Sequence, residues 1–109
     1  MRKQLSILLL SGVATLAMAD GAALFKKCGI CHGEQGQKRS LNVSKVIAGW
    51  KAEDVVEALK AYKEKSRNQY GFGNMMGGQA TKLTDEQMRE VAEYVESLPK
   101  PEETKPAAQ

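Results

Sequence analysis

Soft ligand atoms are almost absent from this chain. Its 109 residues include two cysteines and one histidine, and all three fall between Cys28 and His32, inside the stretch "FKKCGICHGEQG". A two-histidine metal site built from this chain alone is therefore excluded. A structural zinc site needs four ligands, usually in two separated pairs, and there is no second pair to draw on. A disulfide scaffold is excluded too, because the single bond available, Cys28 to Cys31, would close a tiny loop and stabilise little. Aromatic residues are scarce, with two Phe, one Trp and three Tyr. Small domains with so thin an apolar stock often need a metal, disulfides or a cofactor to complete a core.

Strong charge is also missing. Arg2 and Lys3 supply two of the 16 basic residues, and the rest balance the 13 acidic residues to within one charge. Nothing in that balance argues for a nucleic-acid partner. The longest apolar run, Leu5 to Ala17, is broken by Ser6, Ser11, Gly12 and Thr15. It falls short of the ~20 residues a spanning helix needs. Basic residues precede it and Ala17-Met18-Ala19 follows it, which is the order of a secretory signal peptide. The expectation is cleavage after Ala19, export to the periplasm, and no stable membrane insertion afterwards. The remaining chain then divides into a single domain over 20–98 and a charged, Pro-rich tail over 99–109, expected to be disordered.

What is present reads as helix and loop. Asp20 is placed to cap a first helix through "GAALFKKC", and Gly33 and Gly36 break it. Residues 37–49 lack strong periodicity and are expected to be mainly loop, with one short helical turn. Val55, Val56, Leu59 and Tyr62 fall at helical spacing within a second helix from Ala52 to Lys65, with Glu53, Asp54 and Glu57 in its first turns. The stretch "SRNQYGFGNMMGG" carries Gly71, Gly73, Gly77 and Gly78 and is expected to be an irregular loop. Exposing Tyr70, Phe72, Met75 and Met76 there would be costly, so the loop is expected to cover something. In the last helix Thr84 and Gln87 make a capping box, Met88, Val91, Val95 and Leu98 form one stripe with Tyr94 beside it, and Pro99 stops it. No repeat and no strand is evident. The fold class is all-α, with three to four short helices and Gly-rich loops.

Three chemistries compete for Cys28, Cys31 and His32. Zinc lacks ligands. A thioredoxin-like pair needs a strand-rich βαβ setting that is not here. Covalent haem attachment has C-x-x-C-H as its signature. Cysteines at i and i+3 share one face of a helical turn, so both sulfurs can reach the two vinyl groups on one side of a porphyrin, and His32 follows directly to meet the iron. One covalently bound haem is therefore the expected cofactor. For the iron's other face, methionine is the next candidate after histidine. Met88 fits the core stripe of the last helix. Met75 and Met76 sit on the Gly-rich segment, which would close over the haem, one ligating and the other packing.

The stretches "DGAALFKKCGICHG", "MMGGQATKLTDEQ" and "VAEYVESL" together resemble a small class I c-type cytochrome of the bacterial cytochrome c-553 group, over Asp20 to Leu98. The resemblance implies the cytochrome c fold wrapped around its haem. It implies Cys28 and Cys31 as thioether positions and His32 and Met76 as axial ligands. Met76, with Lys82 and Leu83 behind it, matches the family's register, and Met75 is the alternative. It also implies a first helix packed across the last through Gly21, Phe25, Val91 and Tyr94. The segment "GEQGQKRSLN" departs from the family in its extra basic residues.

Haem with both axial positions filled by protein has no open site for oxygen or peroxide and is suited to moving one electron. The expected function is electron carriage, not enzyme catalysis, by a soluble monomer between periplasmic or membrane-bound redox proteins. Lys26, Lys27, Lys38 and Arg39 are candidates for a docking rim. Trp50 and Tyr70 are candidate propionate partners. Two alternatives remain at this stage: a ligand-binding or peroxide-reducing protein with a labile methionine, and a haem subunit of a larger oxidoreductase.

Overall fold

The computed structural model describes residues 20–101, so the expected signal peptide over 1–19 and residues 102–109 of the expected tail lie outside the described residues. Among the described residues there are four α-helices, one short 3₁₀ turn and no strand.

Helix α1 covers 20–32 and so carries the whole C-x-x-C-H stretch in its last turn. Ala22, Ala23 and Leu24 favour it intrinsically. It stops where Gly33 turns left-handed at φ 89°, while the Gly33 amide still donates to the Gly29 carbonyl at 2.9 Å. The His32 carbonyl accepts from the Lys38 amide at 2.9 Å, so the chain folds back beneath the helix end at once. The loop that follows contains the 3₁₀ turn Ser40–Asn42. Ser44 closes it, its Oγ accepting from the Ser40 amide and its carbonyl from Arg39 Nε.

Helix α2 runs Ala52–Lys63. Lys51, at its N-cap, offers no side-chain cap, and the Ala52 amide instead donates to Glu96 Oε1 of α4 at 3.2 Å. That carboxylate suits the positive end of the helix. The helix ends two residues before the expected Lys65, because Lys65 takes a left-handed φ of 64° and its amide caps the Tyr62 carbonyl.

Helix α4, Asp85–Ser97, has the full capping box: Gln87 N donates to Thr84 Oγ1 at 3.1 Å, and Thr84 N to Gln87 Oε1 at 3.0 Å. Met88 is fully buried, as its place in the stripe requires. The core joins Phe25 of α1, Ala52, Val55 and Val56 of α2, and Val91, Ala92 and Val95 of α4. Phe25 and Tyr94 meet with ring centres 5.5 Å apart at a 50° tilt. The helices come this close because position 21 is glycine: a Cβ there would run into the Glu90 carbonyl and lie 2.9 Å from Tyr94 Cβ. The pair adds about 0.5–1.5 kcal/mol beyond area burial.

The Gly-rich segment differs from its expected form. Residues Gly73–Ala80 are helix α3, not irregular loop. Each glycine inside a helix costs about 1 kcal/mol relative to alanine. Tertiary contact outweighs that cost here. Gly73 and Gly77 lie one turn apart and let α3 approach backbone closely: a Cβ on Gly77 would sit 2.8 Å from the Tyr62 carbonyl oxygen, and one on Gly73 would run into the Arg67 carbonyl. Asn68 Oδ1 caps the start by accepting from the Gly73 amide at 2.8 Å, and Thr81 Oγ1 donates to the Gly77 carbonyl at 2.7 Å near the end.

Candidate functional site

Helices α1, α2 and α3 and the loop over 38–50 enclose a cavity of about 420 Å³. That lies within the roughly 300–1,000 Å³ of small-molecule and cofactor sites. Cys28, Cys31 and His32 form part of one wall, and Met75 and Met76 lie on another. Sequence-distant candidates are thus brought together, because α3 rides on the C-terminal end of α2 while α1 is held across α4.

The five exposed large apolar side chains of the described residues are Ile30, Leu41, Val43, Phe72 and Met75, and all five line this cavity. Ile30, between the two cysteines, is 81% exposed and Met75 is 53% exposed. Such convergence marks a surface shaped for an apolar group. Neither thiol is bonded: Cys28 is half-buried and Cys31 exposed. Burial pushes the Cys28 thiol up, opposed in part by a backbone hydrogen bond and helped by Cys31. Burial pushes the His32 imidazole down. A neutral imidazole keeps a lone pair for a metal. His32 is 8% exposed, and its Nδ1 is buried without a hydrogen-bond partner. Two free thiols, a neutral histidine and an apolar wall fit a flat, apolar, metal-bearing ring.

The other candidates fall unevenly. Met76 is half-buried and Met75 is the outer of the two. Trp50 and Tyr70 both line the cavity, and Tyr70 Oη accepts from Gln69 Nε2 at 3.3 Å. Of the basic candidates, Lys26, Lys27 and Lys38 are exposed, and Lys27 reaches the cavity. Arg39 is half-buried with its Nε given to the Ser44 carbonyl. Lys45 and Lys82 line the cavity and were not among the candidates. Neither was Arg67, which sits in a polar run with no motif around it; the tertiary structure alone puts it on the wall.

Comparison with known proteins gives the family of the chain. The sequence matches the Cytochrome c family over residues 18–99. It is 36% identical over 89 residues to a cytochrome c-553 of Nitratidesulfovibrio vulgaris (Miyazaki F), covering 80% of this chain and 84% of that protein. It is 32% identical over 99 residues to a cytochrome c-553 of Helicobacter pylori (strain J99), covering 90% and 99%. The chain belongs to the cytochrome c family. Its fold is accordingly the small, all-helical cytochrome c fold, its cofactor is haem c, and its broad role is that of a haem-bearing electron carrier. Among the described residues no helix is long and apolar enough to cross a membrane.

Proposed function

We propose that this chain is a soluble, monomeric, single-haem carrier that passes electrons between periplasmic or membrane-bound redox proteins. The observation that carries the reading is the meeting of Cys28, Cys31, His32 and Met76 on one apolar cavity. Cys28 and Cys31 are the residues to form the thioethers, their i, i+3 spacing holding both sulfurs on one side of α1. His32 and Met76 would hold the haem iron. The group they hold supplies an iron centre that changes by one electron with little rearrangement.

The chain does the rest. Burial favours the neutral form of His32, the form that can ligate a metal. Val55, Leu59 and Ile47 wall the cavity with apolar surface and exclude water, which helps set the potential. Gly77 lets α3 lie close against the Tyr62 carbonyl at the end of α2, and Met76, the residue before it, lines the cavity. Lys27, Lys45 and Lys82 around the cavity form the rim for acidic partners, a pattern that speeds encounter more than it tightens binding. The monomer is supported by the same five apolar side chains: they are spent on one cavity, so none of them builds a second face.

Visible spectra of the purified holoprotein, oxidised and reduced, with and without carbon monoxide, test the reading. A weak far-red sulfur-to-iron band when oxidised, sharp low-spin bands when reduced and no carbon monoxide shift are expected. A high-spin spectrum that shifts with carbon monoxide would show an open iron and overturn it in favour of a ligand-binding protein. Solution mass of the isolated holoprotein tests the monomer.

A further inference from the structure

Helix α3 carries Met76 and has little to hold it together by itself. Gly73, Gly77 and Gly78 are three of its eight residues, and glycine is the poorest helix former after proline. No acidic residue stands in its first turn and no basic residue in its last, so none of its own charges steadies its dipole. A segment of this kind is helical through its contacts, and it is where a folded chain opens most readily. For Met76 to come off the iron, α3 has to lift from α2. The ties between these two helices therefore decide how often the iron is uncovered.

Those ties run from the C-terminal end of α2. The Gly77 backbone lies against the Tyr62 carbonyl. The next residue, Lys63, is the last of α2 and is exposed, and its Nζ donates to the Leu83 carbonyl at 3.1 Å. Leu83 sits where the chain passes from α3 to α4. Its amide donates to the Ala80 carbonyl at 3.1 Å, and its side chain packs on the core. One ammonium thus joins the end of α2 to the turn that closes α3. Lys63 is not part of the cavity wall, so the bond acts on Met76 only through the helix that carries it.

We propose that Lys63 is a positioning residue for Met76: its bond to the Leu83 carbonyl clasps α3 against α2 and sets how often Met76 leaves the iron. The proposal rests on Met76 as the axial ligand, and it adds a residue that neither the C-x-x-C-H motif nor the methionine register points to. Lys60 is the natural control. It too is exposed and in the last turn of α2, so both lysines set positive charge at the negative end of that helix. Lys63 is the one that reaches across to Leu83. Losing charge at the helix end and losing the clasp are thereby separated.

The test uses the oxidised holoprotein. In excess imidazole, a neutral ligand, loss of the far-red band reports how fast Met76 comes off. Amide hydrogen exchange at Met76, Thr81 and Leu83, whose N–H groups donate to the carbonyls of Phe72, Gly77 and Ala80, reports the same opening without reference to the iron. Lys63→Met keeps an apolar stem and drops the donor. It is expected to speed both processes by about two- to tenfold, the worth of one hydrogen bond, while Lys60→Met matches the wild type. Rates in Lys63→Met that equal the wild type, or Lys60→Met speeding them as much, would overturn the proposal. So would faster exchange spread evenly over α2 and α4, which reports a loss of global stability and no clasp. A wild-type iron that is open from the start would instead overturn Met76 ligation, with the amide rates still judging the clasp, so the two failures are told apart.

Discussion

Alanine at Gly77 and alanine at Gly78 should have opposite effects, although the two residues are neighbours on the same helix. Both changes remove a helical glycine, and each should gain up to about 1 kcal/mol from that alone. A Cβ on Gly78 meets nothing within 4 Å, so that gain is kept. A Cβ on Gly77 would sit 2.8 Å from the Tyr62 carbonyl oxygen. Ordinary contact begins near 3.5 Å, so α3 and the end of α2 must part by about 0.7 Å. Overpacking of this kind costs about 1–3 kcal/mol. The propensity gain is common to both variants, so the difference between them isolates the clash at about 1–3 kcal/mol. Denaturant unfolding of the two holoproteins measures it. Met76 is next to Gly77, so Gly77→Ala should also weaken the far-red band, while Gly78→Ala leaves it intact. Equal stabilities with unchanged bands would refute the claim that close backbone approach at Gly77 positions the methionine.

Met76→Ala should abolish the far-red band and let carbon monoxide bind, whereas Met75→Ala should keep a closed iron; the reverse pattern would make Met75 the ligand. Thr84→Ala removes the capping box and should cost about 1 kcal/mol of holoprotein stability, seen as a lower denaturation midpoint with an unchanged haem spectrum. Desolvation and the carboxylates of Asp20, Glu86 and Glu93 push the Glu90 carboxyl up. The folded chain therefore holds that proton more readily than the unfolded one, and this contribution is lost as pH rises through the raised value. Glu90→Gln should accordingly raise the thermal midpoint at pH 7, with the advantage shrinking as pH falls into the carboxylate range; a lower midpoint at pH 7 would contradict it.

Local rules carried a large part of this protein. The capping box at Thr84 and Gln87, the stripe of Met88, Val91 and Val95, and the C-x-x-C-H spacing are each set by residues within a turn or two of one another. Such features are legible without a fold, because helix geometry alone decides which side chains share a face. The crossing of Gly21 and Phe25 on Tyr94 was legible through likeness to the cytochrome c-553 group. What sequence reasoning got wrong is Gly73–Ala80. Four glycines in eight residues, Gly71 to Gly78, argue for loop by propensity, and only the contact with Tyr62, Arg67 and Asn68 turns most of that stretch into helix. Three more features belong to the tertiary structure alone: the Glu96 cap on α2, the gathering of Leu41 and Val43 at the cavity, and the place of half-buried Arg67 on its wall. Each depends on groups far apart in the chain. The sequence by itself determined which atoms can hold the haem. The tertiary structure decided which surface encloses it, because burial and long-range packing are properties of the packed chain and of no single segment.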